Sequence, residues 1–361
     1  MTTALDPTAL VRELVGRSTV SGDADAQRDL LGAVTEVLHG HAPHLLVTEG
    51  GDRDHPWRLL RTPADPGRRQ LLLACHVDTV PVTDPAAWQR DPFGAQLEDG
   101  RVWGRGGSDM KAGVVAAVAA LAAADPQAPV SLLLTSDEEI GSRGAAAAAA
   151  AVAELPVGAV VVPEATGNEV VLGHKGALWL AVRTAGRAAH GSTPERGHNA
   201  VLDLAALLAR AGAALPFRSD PFLGTETWNP GVVAGGTVPN VVPDRAELVV
   251  DMRTVADGDE LLSWWRAQPE VADVEVRVDL PPVGTPEDDP WVATLPAPVR
   301  PTPATYFTDA SVLVQVVGGA PIVVWGPGTP AVMHAVDEYV ELGELEQAAA
   351  AFTDVVAAWH G

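Results

Sequence analysis

The 361-residue chain has a single cysteine, Cys75, so it can form no internal disulfide and no cysteine-based zinc ribbon. Any metal must be held by histidine and carboxylate side chains. Basic residues are also scarce: 24 Lys and Arg stand against 47 Asp and Glu, a formal charge of -23. That balance excludes a phosphate-tracking nucleic-acid surface and otherwise suits an ordinary soluble acidic protein. Lysine occurs only at Lys111 and Lys175. Long apolar runs are missing too, since Ala112 to Ala124 is too short to span a bilayer. Met1 to Gly16 lacks the basic stretch and apolar core of an export signal. A cytoplasmic protein with neither nucleic acid nor membrane as partner is expected.

The length exceeds the roughly 250–300 residues that one core serves, so two domains are expected. In the first half, Leu71 to Cys75, Ser131 to Thr135 and Ala159 to Val162 read as buried strands. Gly113 to Ala124 and Gly144 to Leu155 read as helices, the latter containing the seven-alanine run Ala145 to Ala151. This alternation predicts an α/β domain with a mixed, mostly parallel sheet covered on both faces. From Leu178 the order becomes strand (to Thr184), helix (Asn199 to Ala213), strands (Gly231 to Ala234, Ala246 to Arg253), helix (Asp259 to Arg266) and strand (Val274 to Val278). That is the β-α-β-β-α-β ferredoxin-like pattern of an α+β domain. A helix over Ser311 to Val317 and a strand over Ile322 to Trp325 then resume the first pattern. The expected domains are 1–177 with 286–361, and an inserted 178–285.

Polar residues gather where these strands end. Leu71 to Cys75 runs into His76-Val77-Asp78, at the carboxyl end of a strand, where open α/β sheets bind ligands. Strand alternation points His76 and Asp78 the same way, so the carboxylate can fix the imidazole tautomer. Alone, His76 reads equally well as a satisfied surface histidine. Gly104 to Lys111 is a glycine-rich turn without P-loop spacing, and its Asp109 would repel an anion but could bridge two cations. Asp137-Glu138-Glu139 follows the second strand. Three adjacent carboxylates need cations or protons to offset their repulsion, although an acidic helix start is the simpler account. Glu164 follows the third strand, and His334 lies in the loop after Ile322 to Trp325. This nitrogen and oxygen donor set suits a dication, most simply zinc, and a bridging carboxylate would hold two ions about 3.5–4 Å apart.

The ordered set His76-x-Asp78-Thr-Val-Pro, Gly104-Arg-Gly-x-x-Asp109-Met-Lys, Asp137-Glu138-Glu139-x-Gly, Glu164 and His334 resembles the M20 family of zinc peptidases and deacylases. The family includes acetylornithine deacetylase, succinyl-diaminopimelate desuccinylase and glutamate carboxypeptidase. The resemblance implies two zinc ions, with cobalt or manganese as substitutes. His76, Asp109 and Glu164 would bind one ion, and Asp109, Glu139 and His334 the other. Asp78 would orient His76, and Glu138 would be the general base. The inserted domain resembles the family's dimerising lid. Its segment Gly186 to Ala200 would supply His190 to a partner's active site as oxyanion donor, and the protein would be a homodimer.

Further resemblances imply Asn240 and Arg253 as substrate contacts, Arg253 as a carboxylate clamp, and Lys175, Thr308, Gly326 and Gly328 as additional contacts. The chain departs from deacylase relatives in having Pro163-Glu164 where Glu-Pro is usual, yet the glutamate is kept. The expected activity is cleavage of the amide bond of an N-acyl amino acid by a zinc-activated water, as in acetylornithine deacetylase. The alternatives are a dipeptidase or carboxypeptidase of the same family, acting on a dipeptide, and a non-catalytic metal-binding relative.

Overall fold

The computed structural model describes residues 5–51 and 53–361. Positions 1–4 of the Met1 to Gly16 segment read above lie outside the described residues. The chain divides into two compact units. One comprises the chain up to Gly173 with Val283–Ala304 and Thr308–Gly361; the other comprises His174–Pro282 with Thr305–Phe307.

The first unit is built on an eight-stranded sheet in the order Leu46–Gly50, Trp57–Arg61, Val130–Thr135, Gln70–His76, Val157–Val162, Ile322–Val324, Val170–Val171, Val299–Arg300. Its four central strands run parallel, and the 46–61 hairpin adds an antiparallel edge. Every residue of Gln70–His76, Val130–Thr135 and Val157–Val162 is buried. Both faces of the sheet are therefore covered there, which is why these strands read as unbroken apolar runs. Leu72, Ala74, Leu133, Val160 and Val162 pack with Ala148 and Val152 of the Arg143–Ala153 helix and with Ala310 and Leu313. Each fully buried Leu or Val in such a core contributes about 1.5–3 kcal/mol. The Ala112–Ala122 helix is Ala- and Val-rich and buried on nearly all sides, so it shows no amphipathic stripe.

The helix expected over Ser311 to Val317 is regular only over Ala310–Leu313 and continues as turns. Its β-branched run Val312, Val314, Val316, Val317 supports a helix poorly, and Gly318 and Gly319, both at positive φ, close it.

The parallel strands bring their carboxyl ends to one edge, with His76 in register with Thr135 and Val324 with Val162. Four chain segments therefore leave the sheet side by side: the ones beginning at Val77, Ser136, Pro163 and Trp325.

The second unit is a four-stranded antiparallel sheet in the order Thr227–Gly235, Arg245–Thr254, Gly176–Ala185, Val271–Leu280, with helices Ala200–Ala214 and Asp259–Arg266. This is the ferredoxin-like arrangement. Leu180, Leu248 and Val250 of the sheet pack with Leu204, Leu207, Leu261 and Trp265 of the helices. Asn199 caps the first helix, its side chain accepting from the N–H groups of Val201 and Leu202. Among the described residues, no helix is long and apolar enough to cross a membrane.

Candidate metal centre

His76 ends its strand with Nε2 3.2 Å from Asp109 Oδ1 and 3.4 Å from Glu164 Oε1. His334 Nε2 lies 3.0 Å from Asp109 Oδ2 and 3.0 Å from Glu139 Oε2. Two triads result, each with its donor atoms within 4.8 Å of one another, and Asp109 belongs to both. The first triad is buried. The second is more open, because the His334 side chain is 49% exposed.

Asp78 ties the two groups of donors together. Its Oδ1 accepts from the N–H of Glu138 at 3.0 Å, and its Oδ2 from the N–H of Glu139 at 3.3 Å and the Ser21 hydroxyl at 2.7 Å. The His76 Nδ1 lies 3.1 Å from the Asp78 carbonyl and 3.4 Å from its carboxylate. Asp78 thus holds both the imidazole and the 136–139 turn. Of the three adjacent carboxylates, Asp137 is bound elsewhere: it accepts from Gly22 N–H and Gln27 Nε2, both at 2.8 Å, and meets His55 Nδ1 at 2.7 Å. Lys111 is fully buried and donates to the Arg17 carbonyl. Cys75 is buried, and burial pushes its thiol well up.

The electrostatics record an excess of negative charge in a dry place. Burial pushes Glu138 well above the usual carboxylate range, raises Glu164 to about 7 and also raises Glu139. Burial pushes Asp109 up as well, but hydrogen bonds from His334 and His76 hold it low. Burial pulls the His76 imidazole down, yet Glu164, Asp109 and Asp78 lift it well above its ordinary value. Asp109 and Glu139 raise His334 to about 10. Dications would offset this charge directly. Glu138 Oε1 and Glu164 Oε2 are buried without a hydrogen-bond partner, a cost that a cation or a bound water would relieve. Imidazole and carboxylate donors without sulfur fit zinc, cobalt or manganese.

The remaining expected residues lie in both units. In the second unit, His190 is exposed. Its Nδ1 lies 2.7 Å from the Ser192 hydroxyl and 3.1 Å from the Ser192 N–H. The His190 and Asn240 segments meet, Gly191 N–H donating to the Asn240 carbonyl at 2.7 Å. Arg253 has its Nε and Nη2 on Asp251 and lies 5.4 Å from the Phe307 ring centroid. Lys175 Nζ donates to the Thr225 carbonyl.

In the first unit, Thr308 is buried and its hydroxyl accepts from Ala310 N–H. Gly326 and Gly328 are buried packing positions. A Cβ on Gly326 would come within 2.4 Å of the Pro163 carbonyl oxygen, and one on Gly328 within 2.8 Å of Ser108 Oγ, at a φ of 105°. Close approach of the Pro163–Glu164 backbone accounts for Gly326, and the positive φ together with the Ser108 side chain accounts for Gly328.

Of three further buried charged residues, only Glu338 went unnamed in the sequence reading; Arg105 stood in the Gly104 to Lys111 turn, and Asp309 in the Tyr306 to Ala310 stretch that resembles pocket-lining loops of the deacetylase side of the family. Asp309 accepts from the Thr135 hydroxyl, and burial raises it to about 6. Glu338 and Arg105 pair beneath the Asp109 turn at 2.6 Å. Glu338 stands four residues beyond His334, and that proximity was its one available signal.

The chain is similar to several known proteins. Succinyl-diaminopimelate desuccinylase of Cereibacter sphaeroides strain KD131 is 29% identical, over 95% of this chain and 96% of the relative. The enzyme of that name from Maricaulis maris is 31% identical over 79% and 80%. Acetylornithine deacetylase of Yersinia pseudotuberculosis is 30% identical over 78% and 76%. The crystal structure of an M20 family metallo-carboxypeptidase from Sulfolobus solfataricus superposes with a TM-score of 0.82 at 18% identity, covering 98% of this chain and 99% of the other. The model of peptidase family M20/M25/M40 matches residues 72–358, a span that contains both triads and the whole second unit, and the chain belongs to that family.

Proposed function

We propose that the chain is a two-zinc hydrolase that releases the acyl group from the nitrogen of an amino acid, an acylated diamino acid in first place. The observation that supports this most directly is the sharing of Asp109 between two triads, with Glu138 buried beside them and in neither. His76, Asp109 and Glu164 would hold one ion, and Asp109, Glu139 and His334 the other. Bound there, the ions supply Lewis acidity toward the scissile carbonyl and lower the pKa of water.

Glu138 acts as general base, taking a proton from the attacking water and returning it to the leaving amine. Asp78 keeps Glu138 in place through its backbone N–H and fixes the His76 ring. Arg253 offers its guanidinium to the substrate carboxylate, with Asn240 and Lys175 as polar contacts. The second unit serves as lid and dimerisation domain of a cytoplasmic homodimer. The exposed side chains of Leu202, Val232 and Val233 are apolar surface that such a contact would cover. His190 donates a hydrogen bond to the developing oxyanion in the partner subunit's site.

The test is a panel of N-acyl amino acids and dipeptides offered to zinc- or cobalt-loaded protein. Amine release with the higher kcat/KM on acyl amino acids is expected. No release from any acyl amino acid would sink the proposal, and a higher kcat/KM on dipeptides would replace the deacylase with a peptidase.

A further inference from the structure

We infer that Arg105 and Glu338 form a buried clamp joining the loops that carry Asp109 and His334, and so are positioning residues for the ion held by Asp109, Glu139 and His334; this rests on the metal-centre reading above. Asp109 lies outside regular helix geometry, at φ −118° and ψ 95°. The backbone N–H groups of Ser108 and Asp109 instead both donate to Glu338 Oε1, at 3.0 and 3.1 Å. Glu338 Oε2 accepts from Arg105 Nη1 at 2.6 Å, and Arg105 Nη2 donates to the His334 carbonyl at 3.3 Å. The same loops are stitched again by Gly104 N–H on the Glu338 carbonyl at 2.8 Å and by the Ser108 hydroxyl on the Tyr339 carbonyl at 2.7 Å. Arg105 is 4% exposed, Glu338 is 0% exposed, and the Trp88 ring lies 5.2 Å from the guanidinium.

The two triads depend on this clamp unequally. His76 is set by its strand and by Asp78, and Glu164 follows directly from another strand. His334 sits in a loop at φ 61°, a conformation that a non-glycine residue holds only when its surroundings impose it. The guanidinium fork matters because it meets a carboxylate oxygen and a carbonyl at once. A lysine there reaches one or the other without a planar pair of N–H groups. Glutamine at 338 can still accept from the Asp109 turn, but its amide N–H group then confronts the Arg105 donor.

The experiment titrates metal-free, full-length Arg105→Lys and Glu338→Gln with cobalt(II), reading visible absorption, beside wild type and His334→Ala. Wild type is expected to take up two ions, and His334→Ala to give the spectrum of the first triad alone. Both clamp variants should bind the first ion within about threefold of wild type and the second about 10–100-fold more weakly. Their spectra at low loading should match His334→Ala. If both affinities fall together, in step with the unfolding midpoint of the metal-free variant, the pair is merely structural and the inference is overturned. Unchanged affinities overturn it equally. Should Glu338→Gln not fold, Arg105→Lys decides alone, because it keeps a cation against Glu338. A wild type that binds no cobalt overturns the metal-centre reading and the clamp with it, whereas a two-ion wild type with unaffected variants overturns the clamp only.

Discussion

Replacing Glu138 by glutamine tests the assigned base with the smallest structural change. The side chain is 5% exposed and its Oε1 has no hydrogen-bond partner, while its backbone N–H stays on Asp78 whatever the side chain. Glutamine keeps the shape but cannot accept and return a proton. Loss of a positioned general base costs about 10²–10⁴-fold in rate, or about 3–5 kcal/mol of barrier. The loss should fall on kcat, with zinc content unchanged, because Glu138 belongs to neither triad. The assay is the initial rate of amine release over a substrate series, with zinc per chain measured by mass spectrometry on the same sample. A fully loaded variant that keeps more than about a tenth of wild-type kcat would refute the assignment. Loss of zinc in step with activity would refute it differently, by making Glu138 a ligand.

Three further outcomes are expected. Asp78→Asn leaves one acceptor oxygen where two N–H groups and the Ser21 hydroxyl converge. It should cost about 1–3 kcal/mol in urea unfolding and about 10–100-fold in metal affinity or activity. Burial pulls the His174 imidazole from 6.5 to about 4, so between those values the unfolded chain binds a proton that the folded one does not. Stability then rises with pH across that window and is lost on acidification, by about 3 kcal/mol in full. Unfolding of wild type and His174→Gln from pH 7 to 4 should show the wild type losing more, and parallel curves would remove His174 as the cause. Mixing inactive His190→Ala with inactive Glu138→Gln should restore about a quarter of wild-type activity, since half the dimers are mixed and each has one intact site. No recovery would count against sites shared between subunits.

Much of the fold was legible because its strands and helices carry opposite signatures. Fully buried parallel strands need apolar residues on both faces, so Leu71 to Cys75 and Ala159 to Val162 stood out by themselves. The pattern of the second unit was readable for the converse reason: Arg245–Thr254 alternates exposed or half-buried with buried positions along its whole length. The 310–317 segment was not, because its valines suit a helix or a strand in sequence alone, and glycines beyond it decided the outcome. The 174–282 and 305–307 composition of the second unit was likewise hidden, since the return of Thr305–Phe307 is settled by tertiary packing.

The candidate site divides along the same physical line. Parallel strands share a direction, so recognising the strands already places His76, Glu138, Glu139 and Glu164 on one edge, where a polar residue after an apolar run is conspicuous. Asp109 and His334 come from loops, for which no such rule exists: donor chemistry put them in the set, and the resemblance gave them their roles in it. The same lack of a rule applies to the molecule. A loop has no ladder of hydrogen bonds to set its ligand, so it needs another source of rigidity, here a buried ion pair 233 residues apart in sequence. The pairing of Arg105 with Glu338 was illegible because it exists only after the chain has closed. They are needed at that place because the strands leave those two proposed ligands unsupported.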